Sequence, residues 1–366
     1  MSNWGFVLFS SSWGEVDWIL PVLYKIKEKD PTIKLAAFFR EGGFVTHKAR
    51  NIGVARPLEA VVDTFVKELS EDFDPSLVRF VLKDYSEDSQ FKNNICSRCK
   101  DAKIVVYPHG TAIGVDQEIN SPNMEVWRTH FPSHDLMLLG TEHDVRWWSR
   151  RTANHNLKAV GFPRYDDWWV KKLTTDSELL HSTEYEVAQR YNTVMYVTRA
   201  PHKEYLPGDV HDYLIRSTAE AVLADRKNFL IVKPHPRQDL SRIKRLLSGH
   251  TRWMFSNFQA LQVASLCSLT VSMFSSCILD SLATGTPVIE FFQYPHTNEE
   301  FVILKDGTLG STYTYLGLTT PVSSKESLTE ALHSNRKEMY QREITNFSKL
   351  MVENASELAA SLVLGG

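Results

Sequence analysis

Short apolar runs alternate with longer amphipathic segments along the whole chain. The runs predict strands at Trp4–Ser10, Ile33–Phe39, Lys103–Tyr107, Leu136–Leu139, Leu157–Gly161, Thr193–Thr198, Phe229–Lys233, Leu269–Met273 and Pro287–Phe292. Most of them are continuous, which is typical of strands buried on both faces of a parallel sheet. Helical periodicity falls between them, over Val16–Lys29, His143–Arg151, Val210–Ala224 and Leu240–Leu247. Strand and helix alternating this often predict a doubly wound α/β architecture.

The length of 366 residues favours two domains. A strand that ends at Gly161 is followed by an irregular polar stretch, 174–186, before the next strand begins. We therefore expect an N-terminal Rossmann-like domain over 1–165, a linker over 166–188, a C-terminal Rossmann-like domain over 189–336 and an amphipathic helix over 337–366.

Composition narrows the class of protein. Lys and Arg number 41 and Asp and Glu 44, a net charge of -3, which argues against a protein that binds nucleic acid through bulk positive charge. No apolar run approaches the roughly 20 residues of a membrane span, and the N-terminus does not look like a signal peptide, so we expect a cytoplasmic protein. Four cysteines make no disulfide framework, and Cys96 and Cys99 are expected to be plain thiols.

Ligands of open α/β sheets bind at the carboxyl ends of the strands, so the residues that follow each strand are the candidates for a site. Ser11 and Gly14 follow the first strand in a turn whose backbone amides can hold an anion, or whose serine simply caps a helix. His109, Gly110 and Thr111 follow the strand 103–107. A histidine there suits a general base, and a turn histidine bonded to backbone is the alternative.

Arg164 and Asp166 follow the strand 157–161. The arginine could hold a phosphate or a carboxylate, whereas the aspartate could bind an acceptor or cap the helix that follows it.

The second half of the chain carries more cations at strand ends. Arg199 follows the strand 193–198, and Lys233, His235 and Arg237 follow the next strand, with two prolines that fix the backbone around the histidine. Arginine forks onto phosphate oxygens and lysine acts as a point charge, so these residues predict a polyphosphate site. A basic surface turn is the alternative.

Ser275 and Ser276 stand where the strand 269–273 turns into a helix, and they predict an anion pocket there or an ordinary helix cap. Asp72 and Asp74 form a DxD motif, the pattern that metal-dependent sugar transferases use. This motif follows no hydrophobic strand and precedes Pro75, so we interpret it as a loop and helix cap and expect no metal site.

Several of these motifs fall in one order: His109-Gly110-Thr111, Gly161-Phe162-Pro163-Arg164-Tyr165-Asp166, Lys233-Pro234-His235-Pro236, and Ser275-Ser276 followed by Gly285-x-Pro287-Val288-Ile289. Over residues 100–295 the chain resembles the CDP-glycerol glycerophosphotransferase group, which includes teichoic-acid polymerases and primases. It is also similar to capsule transferases that use CMP-activated acidic sugars. Both belong to the GT-B structural class.

The resemblance implies two Rossmann-like domains that face each other across a cleft, with the last helix crossing back onto the N-terminal domain. It implies His109 as the base and His235, Ser275 and Ser276 on the donor phosphate. The other expected donor-binding residues are Lys233, Arg237, Arg199, Ser11 and Gly14, and the expected acceptor-binding residues are Gly110, Thr111, Arg164 and Asp166. The group commonly has Pro and then Lys after His-Gly-Thr, whereas here Ala112-Ile113-Gly114 follows. This departure from the motif of the group argues against a glycerol-phosphate acceptor.

The expected function is transfer of a cytidine-activated polyol phosphate or acidic sugar from a CDP or CMP donor to a saccharide or lipid-linked acceptor of a surface polysaccharide. We expect no metal and no cofactor. The basic segment 241–246 offers a peripheral contact with the inner face of the plasma membrane. The alternatives are a UDP-sugar transferase, an enzyme like UDP-GlcNAc 2-epimerase, and a non-catalytic nucleotide-binding protein. The sequence leaves the oligomeric state open.

Overall fold

The chain folds into two compact units. The computed structural model describes residues 3–9, 13–39, 52–85, 90–108, 113–115, 134–150, 152, 156–235, 238–294, 301–334 and 336–365. Unit 1 comprises Met1–Asp116, Ser121–Trp169 and Met351–Gly366, and unit 2 comprises Val170–Leu350.

Unit 1 is built on one parallel sheet. Its elements are β1 (Trp4–Phe9), α1 (Trp13–Lys29), β2 (Lys34–Phe39), α2 (Ile52–Val61), β3 (Thr64–Val66), β4 (Val78–Asp84), α3 (Gln90–Arg98), β5 (Lys103–Tyr107), β6 (Leu136–Leu139), α4 (Glu142–Ser149) and β7 (Leu157–Ala159), with short 3-10 turns at Pro75–Leu77 and Pro163–Tyr165. Within the described residues the strand order is β3-β2-β1-β4-β5-β6-β7, with every pair parallel. The order reverses between β1 and β4.

Unit 2 repeats this plan. It contains α5 (Asp167–Thr174, which begins in unit 1), α6 (Ser177–Leu180), α7 (Thr183–Arg190), β8 (Asn192–Val197), α8 (Gly208–Leu223), β9 (Asn228–Lys233), α9 (Leu240–Leu246), β10 (Trp253–Phe255), α10 (Ala260–Ala264), β11 (Leu269–Ser272), α11 (Cys277–Ala283), β12 (Val288–Phe291), β13 (Val302–Ile303), β14 (Leu309–Gly310), α12 (Thr312–Tyr315), β15 (Thr320–Val322), α13 (Lys325–His333) and α14 (Arg336–Ser348). Its main sheet has the parallel order β10-β9-β8-β11-β12-β15. The prediction of doubly wound α/β architecture is confirmed in both units.

The continuous apolar strands form the cores because helices cover both faces of each sheet. In unit 1 Phe6 and Leu8 of β1 pack with Phe38 of β2, and all three are buried. In unit 2 Met195 of β8 and Ile231 of β9 belong to one cluster of buried side chains. No helix among the described residues is long and apolar enough to cross a bilayer.

The boundary between the units lies inside the stretch 166–188, where the sequence analysis placed it. The change from unit 1 to unit 2 falls between Trp169 and Val170. The stretch 166–188, expected as a linker, contains α5, α6 and most of α7. Capping explains this helical content, since Asp176 and Ser182 accept hydrogen bonds from the first turns of α6 and α7.

The C-terminal segment is two helices where the sequence predicted one. The helix α14 ends at Ser348 within unit 2, and α15 (Ala355–Leu364) lies in unit 1. Asn354, whose φ of 55° is left-handed and incompatible with a continuous right-handed helix, immediately precedes α15. The expected return to the N-terminal unit is therefore made by α15 alone, while 336–348 stays with unit 2.

Candidate functional site

The reversal of strand order in unit 2 lies between β8 and β11. In open α/β sheets this is where a crevice forms outside the carboxyl ends of the strands. The residues that follow β8, β9 and β11 are Thr198–Arg199, Pro234–His235 and Met273–Ser276. Five of the predicted donor-binding residues, Arg199, Lys233, His235, Ser275 and Ser276, are thus placed together at one edge of this sheet.

Arg199 connects the two sides of the reversal. Its Nη1 donates to the carbonyl oxygen of Phe274, 2.8 Å away, beyond the end of β11. Its Nε and Nη2 lie 3.3 and 3.0 Å from the hydroxyl of Tyr205. The guanidinium carbon sits 4.9 Å from the Tyr205 ring centroid and 4.8 Å from that of Phe274. Two aromatic rings and a carbonyl therefore fix a half-buried cation at the point of reversal.

Gln238 connects the loops that follow β8 and β9. Its Oε1 accepts hydrogen bonds from the Thr198 hydroxyl and from the His235 N–H, the latter at 3.1 Å. Its Nε2 donates to the carbonyl oxygen of Arg199 at 3.0 Å. The Gln238 N–H in turn donates to the carbonyl oxygen of His235 at 2.9 Å, which closes the turn. The sequence analysis missed Gln238, although its position three residues after His235 suits a turn closure.

The loop that carries His235 begins directly at the strand end. Lys233 is the last residue of β9, its Cα is in register with Val197, and its carbonyl oxygen accepts from the Thr198 N–H at 3.2 Å. Lys233 and His235 are both half-buried. Arg237, predicted to bind the donor as well, lies outside the described residues.

The two serines begin the turn into α11. Ser275 Oγ accepts from the Cys277 N–H at 3.3 Å, and Ser276 immediately precedes the helix without a side-chain cap bond. Both are half-buried. Ser272, the last residue of β11, is fully buried. Its hydroxyl has no hydrogen-bond partner among the described residues.

A second feature that the sequence did not predict is the carboxylate of Glu290 on β12, in register with Ser272. It is buried and accepts hydrogen bonds from four hydroxyl groups, those of Tyr294, Ser311, Thr314 and Thr319. Burial raises the pKa of Glu290. The network holds the segment after β12 next to Phe274, whose ring packs edge to face with Tyr294 at 6.4 Å.

The predicted catalytic residue of unit 1, His109, and the predicted acceptor-binding residues Gly110 and Thr111 lie outside the described residues, as does Ser11, so their roles stay predictions. Gly14 is the second residue of α1.

The motif 161–166 holds the C-terminal helix in place. Both oxygens of the Asp166 carboxylate accept from the first turn of α15, from the N–H of Ala355 at 2.9 Å and of Ser356 at 2.8 Å, and the Ser356 hydroxyl donates as well. Asp166 is buried, and burial raises its pKa despite these bonds. Gly161 has a φ of 86°, and a Cβ there would lie 2.7 Å from the Cβ of Val352.

Arg164 of the same motif is buried and forms an ion pair with Asp17 of α1. Asp166 and Arg164 were predicted to bind the acceptor. The structure shows Asp166 as the cap of α15, about 190 residues further along the chain. Helix capping was the alternative role in the sequence analysis, but for the helix that directly follows Asp166. Acceptor binding by either residue stays a prediction.

Buried acids lie at the carboxyl edge of unit 1. Asp84, the last residue of β4, forms an ion pair with Lys92 of α3, and both side chains are fully buried. Glu15 is buried in the first turn of α1. Burial, together with the negative charges of Glu15 and Asp84, raises the pKa of Tyr107 well above its usual range. Tyr107 ends β5, and its buried hydroxyl has no hydrogen-bond partner among the described residues.

Two further interpretations of the sequence can be checked locally. Asp74 caps the 3-10 turn Pro75–Leu77 by accepting from the N–H and the hydroxyl of Ser76 at 3.0 and 2.7 Å, which confirms the interpretation of the DxD as a loop and cap. Cys99 is a buried free thiol whose pKa burial raises to about 11, so it stays protonated near neutral pH, as expected of a plain thiol.

The fold has many solved relatives. The S. aureus MnaA–UDP structure matches with a TM-score of 0.65 and 12% identity, over 99% of this chain and 97% of that chain. The Neisseria meningitidis UDP-GlcNAc 2-epimerase bound to UDP-GlcNAc gives 0.65 and 11%, over 99% and 100%. The wall teichoic acid polymerase TagF gives 0.63 and 13%, over 99% and 88%. No family profile and no curated protein matches the sequence. At these identities the likeness establishes the fold, and the predicted GT-B class is confirmed.

Proposed function

We propose that the protein is a GT-B transferase that uses a nucleotide-activated donor and holds the donor phosphate at the carboxyl edge of the unit 2 sheet. The observation that carries the proposal is the fixed cation at the strand reversal. Arg199 is bonded to the Phe274 carbonyl at 2.8 Å, and Gln238 ties the Arg199 backbone to the His235 loop. Cations at this position suit a phosphate that gains negative charge as it leaves.

The transferred group is a cytidine-activated polyol phosphate or acidic sugar. The order of the motifs supports this choice, and structures of TagF, one of them soaked with CDPG, share the fold. The acceptor is a saccharide or lipid-linked hydroxyl of a surface polysaccharide. The reaction takes place in the cytoplasm or at the inner face of the membrane, where the basic segment 241–246 is suited to anionic lipid.

In the proposed reaction His109 removes the proton of the acceptor hydroxyl while its oxygen forms a bond to the phosphorus of the polyol phosphate or to the anomeric carbon of the sugar. The bond from that atom to the oxygen of the nucleotide phosphate breaks, and CMP leaves with the electron pair. Arg199, Lys233 and His235, with Arg237, Ser275 and Ser276, stabilise the charge that builds on CMP.

Calorimetric titration with CMP, CDP, UDP and GDP tests the donor. We expect the cytidine nucleotides to bind best, and Arg199→Ala and His235→Ala to weaken CMP binding at least tenfold while the melting temperature changes little. Arg226→Ala is the matched control, because Arg226 is exposed in the turn before β9 and so lies at the opposite edge of the same sheet. Equal CMP affinity in the native protein and in all three variants would contradict phosphate binding by Arg199 and His235.

The activity needs no metal, because side-chain cations face the leaving phosphate. Transfer from a cytidine donor should therefore continue in excess EDTA. Loss of transfer on chelation, with recovery when Mg²⁺ is restored, would contradict this part of the proposal.

A UDP-sugar 2-epimerase is the alternative function, favoured by the match of nearly full length in both directions to the epimerase bound to UDP-GlcNAc. Tighter binding of UDP than of CMP, together with conversion of UDP-GlcNAc when no acceptor is present, would decide for the epimerase. Binding of nucleotide without turnover of any donor would instead indicate a non-catalytic nucleotide-binding protein.

A further inference from the structure

The amide of Gln238 can take only one orientation. Its Oε1 faces two donors, the His235 N–H and the Thr198 hydroxyl, whereas its Nε2 faces the Arg199 carbonyl oxygen. A rotated amide would set an NH₂ group against the His235 N–H and an oxygen against the Arg199 carbonyl. The side chain is 6% exposed, so water cannot replace the lost bonds.

This orientation fixes the proton on His211. The Gln238 Nε2 also lies 2.7 Å from Nε2 of His211, a fully buried residue in the first turn of α8. Because the amide nitrogen only donates, the imidazole Nε2 must accept, and the imidazole proton resides on Nδ1. That proton points to Oδ1 of Asp212, 3.0 Å away. The contact with Gln238 therefore requires neutral His211.

Two charged groups face His211 among the described residues. Asp212 favours the protonated imidazole and Arg242 of α9 opposes it, and Arg242 also binds Asp212 at 2.8 Å, which directs part of the carboxylate's charge away from the histidine. Burial is the largest influence and lowers the pKa of His211.

We propose that Gln238 is a positioning residue that couples the protonation of His211 to the position of the His235 loop, and thereby to phosphate binding. A protonated His211 presents N–H to an amide nitrogen that also carries hydrogen. The amide then has to leave its position, and the bonds to the His235 N–H, Thr198 and the Arg199 carbonyl break together. Only the final step, phosphate binding, rests on the proposed function.

The coupling can be measured on the full chain labelled with ¹⁵N-histidine, with the His235 cross-peak assigned by substitution. We expect the His235 amide to shift below pH 6.5 with the same midpoint as the His211 ring. In His211→Gln, which offers an oxygen acceptor that does not titrate, the part of this shift that follows the His211 midpoint should vanish. The amide of His181 on the distant turn after α6 is the internal control.

A second variant reports on the network even if His211→Gln folds poorly. In Gln238→Glu the carboxylate still accepts from His235 and Thr198 but sets an oxygen against the imidazole, so the midpoint of His211 should rise by at least one pH unit. A Gln238 side chain that does not contact the His211 ring would leave this midpoint unchanged in Gln238→Glu. An unchanged midpoint in Gln238→Glu, or a His235 amide shift with the native His211 midpoint that persists in His211→Gln, would overturn the proposal.

Titration of CMP between pH 5 and 7.5 then tests the link to binding. Affinity should fall at least tenfold as His211 protonates in the native protein, and this fall should shrink in His211→Gln. A native pH profile that His211→Gln leaves unchanged would refute the link to phosphate. If CMP binds at no pH, the proposed function fails, while the amide shifts still decide whether Gln238 couples the two histidines.

Discussion

The motifs Gly161–Asp166 and Lys233–Gln238 both lie at the end of a strand of a parallel sheet and both set a proline beside charged residues, yet the fold uses them in different ways. In unit 1 the carboxylate of Asp166 is occupied by the backbone of α15, and Arg164 by Asp17. In unit 2 Gln238 accepts from the His235 N–H, and the side chains of Lys233 and His235 lie half-buried at the sheet edge. A proline-containing motif after a strand therefore caps a distant helix in unit 1 and closes a turn beside the strand reversal in unit 2.

The carboxyl edges also differ in the charged side chains that they carry. Unit 1 buries Glu15 and Asp84 beside Tyr107 and balances Asp84 with the buried Lys92, whereas unit 2 sets Arg199 and Lys233 at the ends of its strands. The same strand order therefore supports edges with different side chains, because topology fixes where a crevice lies and the side chains decide what enters it.

The largest effect should come from Asp166→Ala. The substitution leaves two buried N–H groups of α15 and the Ser356 hydroxyl without their acceptor, so we expect the free energy of unfolding to fall by about 4 kcal/mol. Urea denaturation measures this loss. Asp167→Ala, one residue further and exposed, should cost less than about 0.5 kcal/mol. If the Asp166→Ala protein had native stability and a raised KM for the acceptor, Asp166 would serve acceptor binding, as the sequence predicted, and not the attachment of α15.

Gly161→Ala should follow, at about 3 kcal/mol, because it combines a left-handed φ with a collision of its Cβ against Val352 and Ala355. Gly307→Ala separates the two causes. Gly307 has a φ of 82°, close to that of Gly161, but nothing lies within 4 Å of its Cβ position, so it should cost only about 1 kcal/mol. Equal melting temperatures for the two variants would show that the left-handed backbone alone requires glycine at position 161, and that contact with α15 adds nothing to the requirement.

Hydrophobic pattern was sufficient for the strands made of uninterrupted apolar residues. The predicted β5 and β6 match the structure residue for residue, and β1 and β9 differ by one residue at one end. The central strand β4 was missed because Arg79, Lys83 and Asp84 interrupt its apolar run. The last two of these charges are buried at the strand end, where the Asp84–Lys92 pair replaces apolar contacts that a sequence pattern could show.

The sequence located the charged and hydroxyl residues of the candidate site, but not the residues that orient them. Strand ends located Arg199, Lys233, His235, Ser275 and Ser276, since topology alone brings them to one edge. The hydrogen bonds that orient them come from Gln238 and Tyr205, which the chain supplies from turns without a recognisable motif. The cap of α15 by Asp166 joins residues 190 positions apart, and no local pattern encodes such a contact.

The stability that Asp144 contributes to unit 1 should depend on pH. Asp144 accepts from the Gly114 N–H at 2.6 Å and from the backbone and hydroxyl of Thr141, and burial raises its pKa to about 6. A carboxyl whose folded pKa lies above its unfolded value stabilises the fold below that unfolded value. The contribution disappears as the pH rises through about 6, which amounts to about 3 kcal/mol.

Comparison of urea unfolding between the native protein and Asp144→Asn, from pH 4 to pH 7, measures this change, because the variant lacks the titrating group. The native protein should lose stability relative to the variant as the pH rises, whereas the two proteins should bind CMP with the same affinity at each pH. A difference in CMP affinity between them that changes with pH would mean that the acids of unit 1 act on the ligand.

Arg199→Lys should give the smallest effect. Lysine keeps the positive charge at the strand reversal but cannot reach both the Phe274 carbonyl and the Tyr205 hydroxyl, so the cation is less well fixed. We expect CMP affinity to fall by about fivefold, about 1 kcal/mol, with Arg226→Lys as the unaffected control. A loss as large as that of Arg199→Ala would mean that the forked geometry, more than the charge, recognises the phosphate. Native affinity would mean that charge alone is sufficient at this edge.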